Sequence, residues 1–162
     1  MLNVRLGSRA AFEELFARYR EPVFAFFRRR VGAAGTAEDL TQETFLAVLR
    51  AAARYEPRSS VRSYLFAIAF RLMLNERRRT SQDVAITRSI DVPTRPADAD
   101  ESLWLREALE KLDENEREIL MLREYEQLSY EEIAGLLRLP INTVRSRLFR
   151  SRMALRALLQ EA

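Results

Sequence analysis

The chain of 162 residues contains no cysteine and no histidine. Without cysteine there is no disulfide framework and no thiolate metal site. Without histidine, the commonest general base and the commonest metal ligand are both missing. The two absences weigh against catalysis, and neither a metal nor a cofactor is expected. No apolar run reaches the ~20 residues that a membrane span needs, and the N-terminus carries no signal-peptide pattern. A cytoplasmic protein without membrane insertion follows. Lysine is nearly absent too, occurring once among the 27 basic residues.

What is present is segregated charge. Residues 1–80 carry 15 arginines against 8 acids; residues 101–137 reverse this, with 4 basic and 11 acidic side chains. Residues 138–162 are basic again, with six arginines and one acid. Two basic patches around an acidic scaffold suggest two separate nucleic-acid contacts.

The most informative stretch runs from Ser129 to Arg152. Ser129 with Glu132 forms a capping box, so a helix should start at Tyr130 with Ile133, Leu136 and Leu137 on its apolar face. Pro140 breaks that pattern, and Asn142 is the next cap candidate. Val144, Leu148 and Leu155 then mark a second helix. Helix, short turn, helix is the arrangement that presents a second helix to the DNA major groove. On that helix Arg145, Ser146, Phe149 and Arg150 can share one face. Arginine forks match guanine edges and phosphates, and an apolar ring can touch a thymine methyl. A solvated basic face on a terminal helix is the plainer reading.

Upstream, Ser8 caps a helix through Arg20 with Phe12, Leu15, Phe16 and Tyr19 inward; Pro22 interrupts it, and a second piece runs from Val23 to Val31. Thr36 with Asp39 resembles a capping box opening a helix from Ala37 to about Tyr55. That helix has two apolar stripes, Leu40/Thr44/Ala47/Val48/Ala51 and Phe45/Leu49/Ala52, with Leu46 in addition. Two stripes suit either a partner surface or the central helix of a small bundle. Ser60 caps the next helix, Val61 to about Arg79, whose other face and end carry Arg62, Tyr64, Arg71, Asn75 and Arg77–Arg79. Basic residues interleaved with a ring and an amide suit single-stranded or partly opened DNA; alternatively Tyr64 is core and the terminal arginines complement the helix dipole. Residues 81–100 read as a mobile acidic tether. Helices from Ser102 to Leu112 and, after an Asp113/Glu116 capping box, to about Glu126 complete the chain. The expected fold is all-α, with two small helical domains, about 1–80 and 101–162, joined by a flexible linker at 81–100.

These residues resemble bacterial RNA polymerase sigma factors of the extracytoplasmic-function group over nearly the whole length. The resemblance rests on EDLTQETFLAVL (38–49), RSYLFAIAFRLMLNERRR (62–79), LDENEREILMLREYEQLSYEEIA (112–134) and the TVRSRLFRSR run ending at Arg152. It implies a region 2-like first domain and a region 4-like second domain. Asp39, Leu40, Gln42, Glu43, Phe45 and Leu46 would dock on the core polymerase. The segment from Ser59 to Asn75, with Ser60, Arg62, Tyr64, Arg71 and Asn75, would read and help melt the −10 element, with Arg77, Arg78 and Arg79 on phosphates. Arg145, Ser146, Phe149 and Arg150 would read the −35 element, while Arg147 and Arg152 would meet phosphates or polymerase. Promoter DNA, core polymerase and an anti-sigma factor are the implied partners. Many members carry Gly where this chain has Arg138 and Asn142, so a left-handed backbone at Arg138 would cost on the order of 1 kcal/mol relative to Gly.

The rival readings are a stand-alone helix-turn-helix regulator that binds duplex DNA without polymerase, and a nucleic-acid enzyme using Glu13/Glu14, Glu38/Asp39/Glu43 or Glu131/Glu132. The first leaves the basic N-terminal half unexplained; the second lacks a histidine or cysteine to assist. A member kept only to sequester an anti-sigma partner is a third.

Overall fold

The computed structural model describes residues 1–57, 59–83 and 99–160, with side chains described over 1–57, 59–80 and 104–160. Among the described residues all regular structure is helical. The chain divides into two compact units, Met1–Ser89 and Ile90–Ala162. No helix among the described residues is long and apolar enough to cross a membrane.

The first unit contains α1 (Leu2–Arg5), α2 (Arg9–Val31), α3 (Ala34–Ala51), a single 3-10 turn at Ala52–Arg54 and α4 (Val61–Asp83). Ser8 caps α2 as expected, its hydroxyl accepting the Ala11 N–H at 3.3 Å. The expected break at Pro22 does not occur: α2 runs straight through it to Val31. Proline removes one backbone bond and crowds the preceding turn, at about 3 kcal/mol. Leu15 before it and Val23, Phe26 and Phe27 after it are all buried, so one core recruits both halves.

Gly32, at φ 76°, then turns the chain. The turn comes early enough that α3 starts at Ala34 with Ala33 in the cap position and no side-chain cap bond. Thr36 therefore lies inside the first turn rather than at a capping box. α2, α3 and α4 pack on one another. The core joins Phe26 and Phe27 to Val48, Leu65, Phe66, Ala69 and Met73, with Phe26 and Phe66 ring centroids 5.6 Å apart.

α4 begins as the sequence predicts, with the Ser60 hydroxyl accepting the Ser63 N–H at 3.0 Å. It continues past Arg79 to Asp83, and Thr80 bonds back to the Glu76 carbonyl at 2.9 Å. Both ends of the expected tether are thus helical, because α5 (Ala99–Lys111) also starts before Ser102. The rest of the expected tether, 84–98, lies outside the described residues.

The second unit comprises α5, α6 (Glu114–Glu124), α7 (Tyr130–Leu137) and α8 (Ile141–Gln160). Ile119, Leu120, Met121 and Leu122 of α6 are all buried, and α8 packs against each of α5, α6 and α7. Asp113 caps α6 by accepting the Asn115 and Glu116 N–H groups at 2.9 and 3.4 Å. The reciprocal half of the expected box is not made, because the Glu116 carboxylate turns to Arg150 instead, at 3.7 Å. At α7 the box is complete: Ser129 Oγ accepts the Glu132 N–H at 3.1 Å, and Glu132 accepts the Ser129 N–H at 2.8 Å.

Candidate nucleic-acid interface

The corner between α7 and α8 sets the aim of the second helix. Arg138 ends α7 with a left-handed backbone, φ 55° and ψ 45°, the conformation whose cost relative to glycine was weighed from the sequence. The Leu139 N–H then reaches the Ala134 carbonyl at 3.0 Å, and the Pro140 carbonyl accepts from Thr143 and Val144 at 2.9 and 3.2 Å. Pro140 is therefore the last residue before the helix. Asn142, expected as the cap, sits inside the first turn of α8 and is exposed. A proline carbonyl serves that position well, since the missing N–H is not needed there.

Val144, Leu148 and Ser151 anchor α8 in the unit, with Val144 and Ser151 fully buried. On its outer side Arg145, Ser146, Phe149 and Arg150 are exposed together. Phe149 is 64% exposed, more than any other aromatic ring among the described residues. Ser146 spends its hydroxyl proton on the Thr143 carbonyl at 3.0 Å, leaving its oxygen as an acceptor.

The other two expected residues do not share this face equally. Arg147 is half-buried, and its positive charge helps hold the Asp113 carboxyl below the usual range, behind the larger effect of the backbone N–H groups of Asn115 and Glu116. Arg152 donates through Nε and Nη2 to one oxygen of Glu124, at 3.2 and 2.6 Å. That bond is the main reason the Arg152 pKa is raised.

In the first unit, Tyr64, Arg71, Asn75 and Arg78 recur at helical spacing along the outer side of α4, and the last three are exposed. Arg79 is exposed beside Glu76, at 3.6 Å. Tyr64 is half-buried with its ring edge-on to Tyr55, centroids 4.9 Å apart, and partial burial followed by the neighbouring Tyr55 pushes its phenol up. Arg62 lies on the other side of α4, its guanidinium 5.3 Å over the Phe66 ring. Ser60 is exposed, but its hydroxyl oxygen is used by the cap.

The α3 surface needs the larger correction. Asp39, Gln42, Glu43 and Leu46 are exposed, whereas Leu40 and Phe45 are buried, at 5% and 3%. Phe45 packs edge-on against Phe16 at 4.8 Å and Phe12 at 6.4 Å. α3 packs on both α2 and α4, and each apolar stripe contributes buried residues, Leu40, Thr44 and Val48 from one and Phe45 and Ala52 from the other. The apolar area left outside is Leu46, Leu49 and the edge of Phe16, at 49%, 44% and 37% exposed. Leu49 belongs to the second apolar stripe that the sequence offers as a partner surface, although the polymerase-docking set implied by the resemblance leaves it out; Phe16 is expected inward and is instead partly exposed. Among the described residues no carboxylate cluster is placed to hold a metal ion.

An exposed arginine face on each of two small helical units, one carried by a helix-turn-helix, defines a nucleic-acid-binding protein. The Sigma-70 region 2 model matches residues 15–82, and the Sigma-70, region 4 model matches residues 102–155. The chain is 33% identical to the RNA polymerase sigma-H factor of Pseudomonas aeruginosa, over 99% of this chain and 94% of that protein. It is 34% identical to the ECF RNA polymerase sigma-E factor of Escherichia coli, over 94% of this chain and 88% of that one. The sigma factor RpoE from Bartonella quintana, solved with the anti-sigma factor NepR, superposes with a TM-score of 0.75 at 27% identity, covering 93% of this chain and 97% of that chain. The chain belongs to the RNA polymerase sigma factors of the extracytoplasmic-function group, proteins that direct promoter-specific initiation.

Proposed function

We propose that the two units divide the promoter between them, within domain limits of about 1–80 and 101–162. The second reads the −35 element in the major groove through Arg145, Ser146, Phe149 and Arg150. The first meets the −10 element through Ser60, Tyr64, Arg71 and Asn75, with Arg78 and Arg79 on phosphates. Core RNA polymerase docks on the α3 face of Asp39, Gln42, Glu43 and Leu46, extended by Leu49 and Phe16. The carrying observation is the Phe149 ring, 64% exposed among arginines on the outward side of a helix-turn-helix. Covering that ring with a thymine methyl or another apolar group would remove apolar surface from water and so favour binding.

The protein itself is assigned no chemistry; nucleotide addition belongs to the polymerase. Of the acids that a nuclease reading would recruit, Glu13 and Glu14 pair with Arg9 and Arg18 at 2.8 and 2.9 Å, and Glu132 closes a capping box. A separate anti-sigma protein, by analogy with NepR on its sigma factor, is the proposed regulator, and the site of action is the cytoplasm, with polymerase.

The test is transcription from a library of random promoters by core polymerase with and without the chain. Start sites that need the chain and share −10 and −35 sequences are expected. No stimulation, together with tight duplex binding by the chain alone, would favour the stand-alone regulator.

A further inference from the structure

Glu116, the third residue of α6, is fixed at three points. Its N–H donates to Asp113, its carbonyl lies 3.1 Å from the buried Ser151 hydroxyl, which also has the Arg147 carbonyl at 2.8 Å for its single proton, and its carboxylate stands 3.7 Å from Arg150 Nε. Ser151 directly follows Arg150, so α6 grips α8 where that arginine leaves the helix. At 3.7 Å the carboxylate attracts the Arg150 guanidinium without a direct hydrogen bond, and the exposed guanidinium can still present a fork of N–H donors to a base. Arg152 is treated differently. Its Nε and Nη2 both converge on one oxygen of Glu124, so its side-on fork is consumed inside the unit.

Resting on the reading of α8 as the −35 helix, we propose that two glutamates of α6 sort the arginines of α8. Glu116 is a positioning residue that aims the Arg150 fork at a base edge, and Glu124 withholds Arg152 from phosphate. An exposed arginine samples many rotamers, and ordering it on binding consumes free energy. A carboxylate on one edge narrows that sampling beforehand. It also repels phosphate, which disfavours docking of Arg150 on the backbone in place of a base. An exposed ion pair of this length does little for stability, so the effect belongs to specificity rather than to folding.

The experiment uses core polymerase with the full chain on promoters whose −35 region is randomised and whose −10 region is held constant. Arg150→Ala first locates the base that Arg150 reads, by a loss of discrimination there of about fivefold or more. Glu116→Gln is expected to flatten preference at that same position, with an unchanged thermal midpoint, and to add nothing in the Arg150→Ala background. Glu116→Asp, too short to reach Arg150, should behave alike and covers the case in which the glutamine variant folds poorly. Glu124→Gln should leave base preference intact and steepen the salt dependence by about one unit as Arg152 is freed toward a phosphate. If Arg150→Ala flattens one position while both Glu116 variants keep the parental preference, the positioning role is overturned and the −35 reading stands. If Arg150→Ala itself leaves preference intact, the assignment of Arg150 as a reader fails first, and the positioning role with it. A new base preference in Glu124→Gln overturns the role given to Glu124.

Discussion

Phe45 and Leu46 are neighbours, yet a helix turns them about 100° apart, and α3 buries the first while exposing the second. Substitution separates their roles. Phe45→Ala removes ring contacts to Phe16 and Phe12 and should destabilise the first unit by about 3–5 kcal/mol, read from urea unfolding. Leu46→Glu should leave that unfolding unchanged and weaken binding to core polymerase; loss of helical signal in Leu46→Glu would instead place Leu46 in the core. Asp113 offers a second residue-scale test. The Asn115 and Glu116 N–H groups hold its carboxyl below the usual range. A group with a lowered folded pKa stabilises fully above its unfolded pKa, and that stabilisation is lost as pH falls through the folded value. The melting-temperature gap between the parent and Asp113→Ala should therefore be widest above the usual carboxylate range of about pH 4 and shrink as pH falls below it.

Among the elements, caps were more legible than helix interiors. Ser8, Ser60, Asp113 and Ser129 were each readable as caps and each accepts a backbone N–H, because an N-cap is a bond between residues two or three apart and needs no tertiary context. Pro22 misled because its local penalty is opposed by Phe26 and Phe27, whose burial depends on α3 and α4. Thr36 misled because Gly32 turns the chain three residues earlier than a Thr36 cap would require. The left-handed Arg138 gives this scale its prediction. Arg138→Gly should raise the stability of the second unit by on the order of 1 kcal/mol, and Ser129→Ala should lower it by about 1 kcal/mol, both by thermal melting. Since the corner also aims α8, an altered −35 preference in Arg138→Gly would mark the arginine as a setter of that aim.

Over the whole molecule, the near-neutral net charge of +3 conceals two basic faces, and their consequence is salt dependence. DNA binding by polymerase carrying this chain should weaken log-linearly with salt. Removing Arg78 and Arg79 together should make the slope shallower by about two units while preserving base preference; a changed preference would show that these arginines read bases.

The sequence alone determined the all-α class, two units, the helix-turn-helix and the arginine face of α8, because caps, helical period and charge sign are local properties. The family followed from motifs spread over both halves of the chain. The division of labour among similar side chains was decided only by tertiary structure. Leu40 and Phe45 face inward because α3 packs on both α2 and α4, and Arg62 stacks on Phe66 rather than joining Arg71 and Asn75. Arg150 and Arg152 differ through Glu116 and Glu124, which lie 34 and 28 residues earlier in the chain. Burial and ion pairing depend on what lies across the interface, and no helical period carries that information.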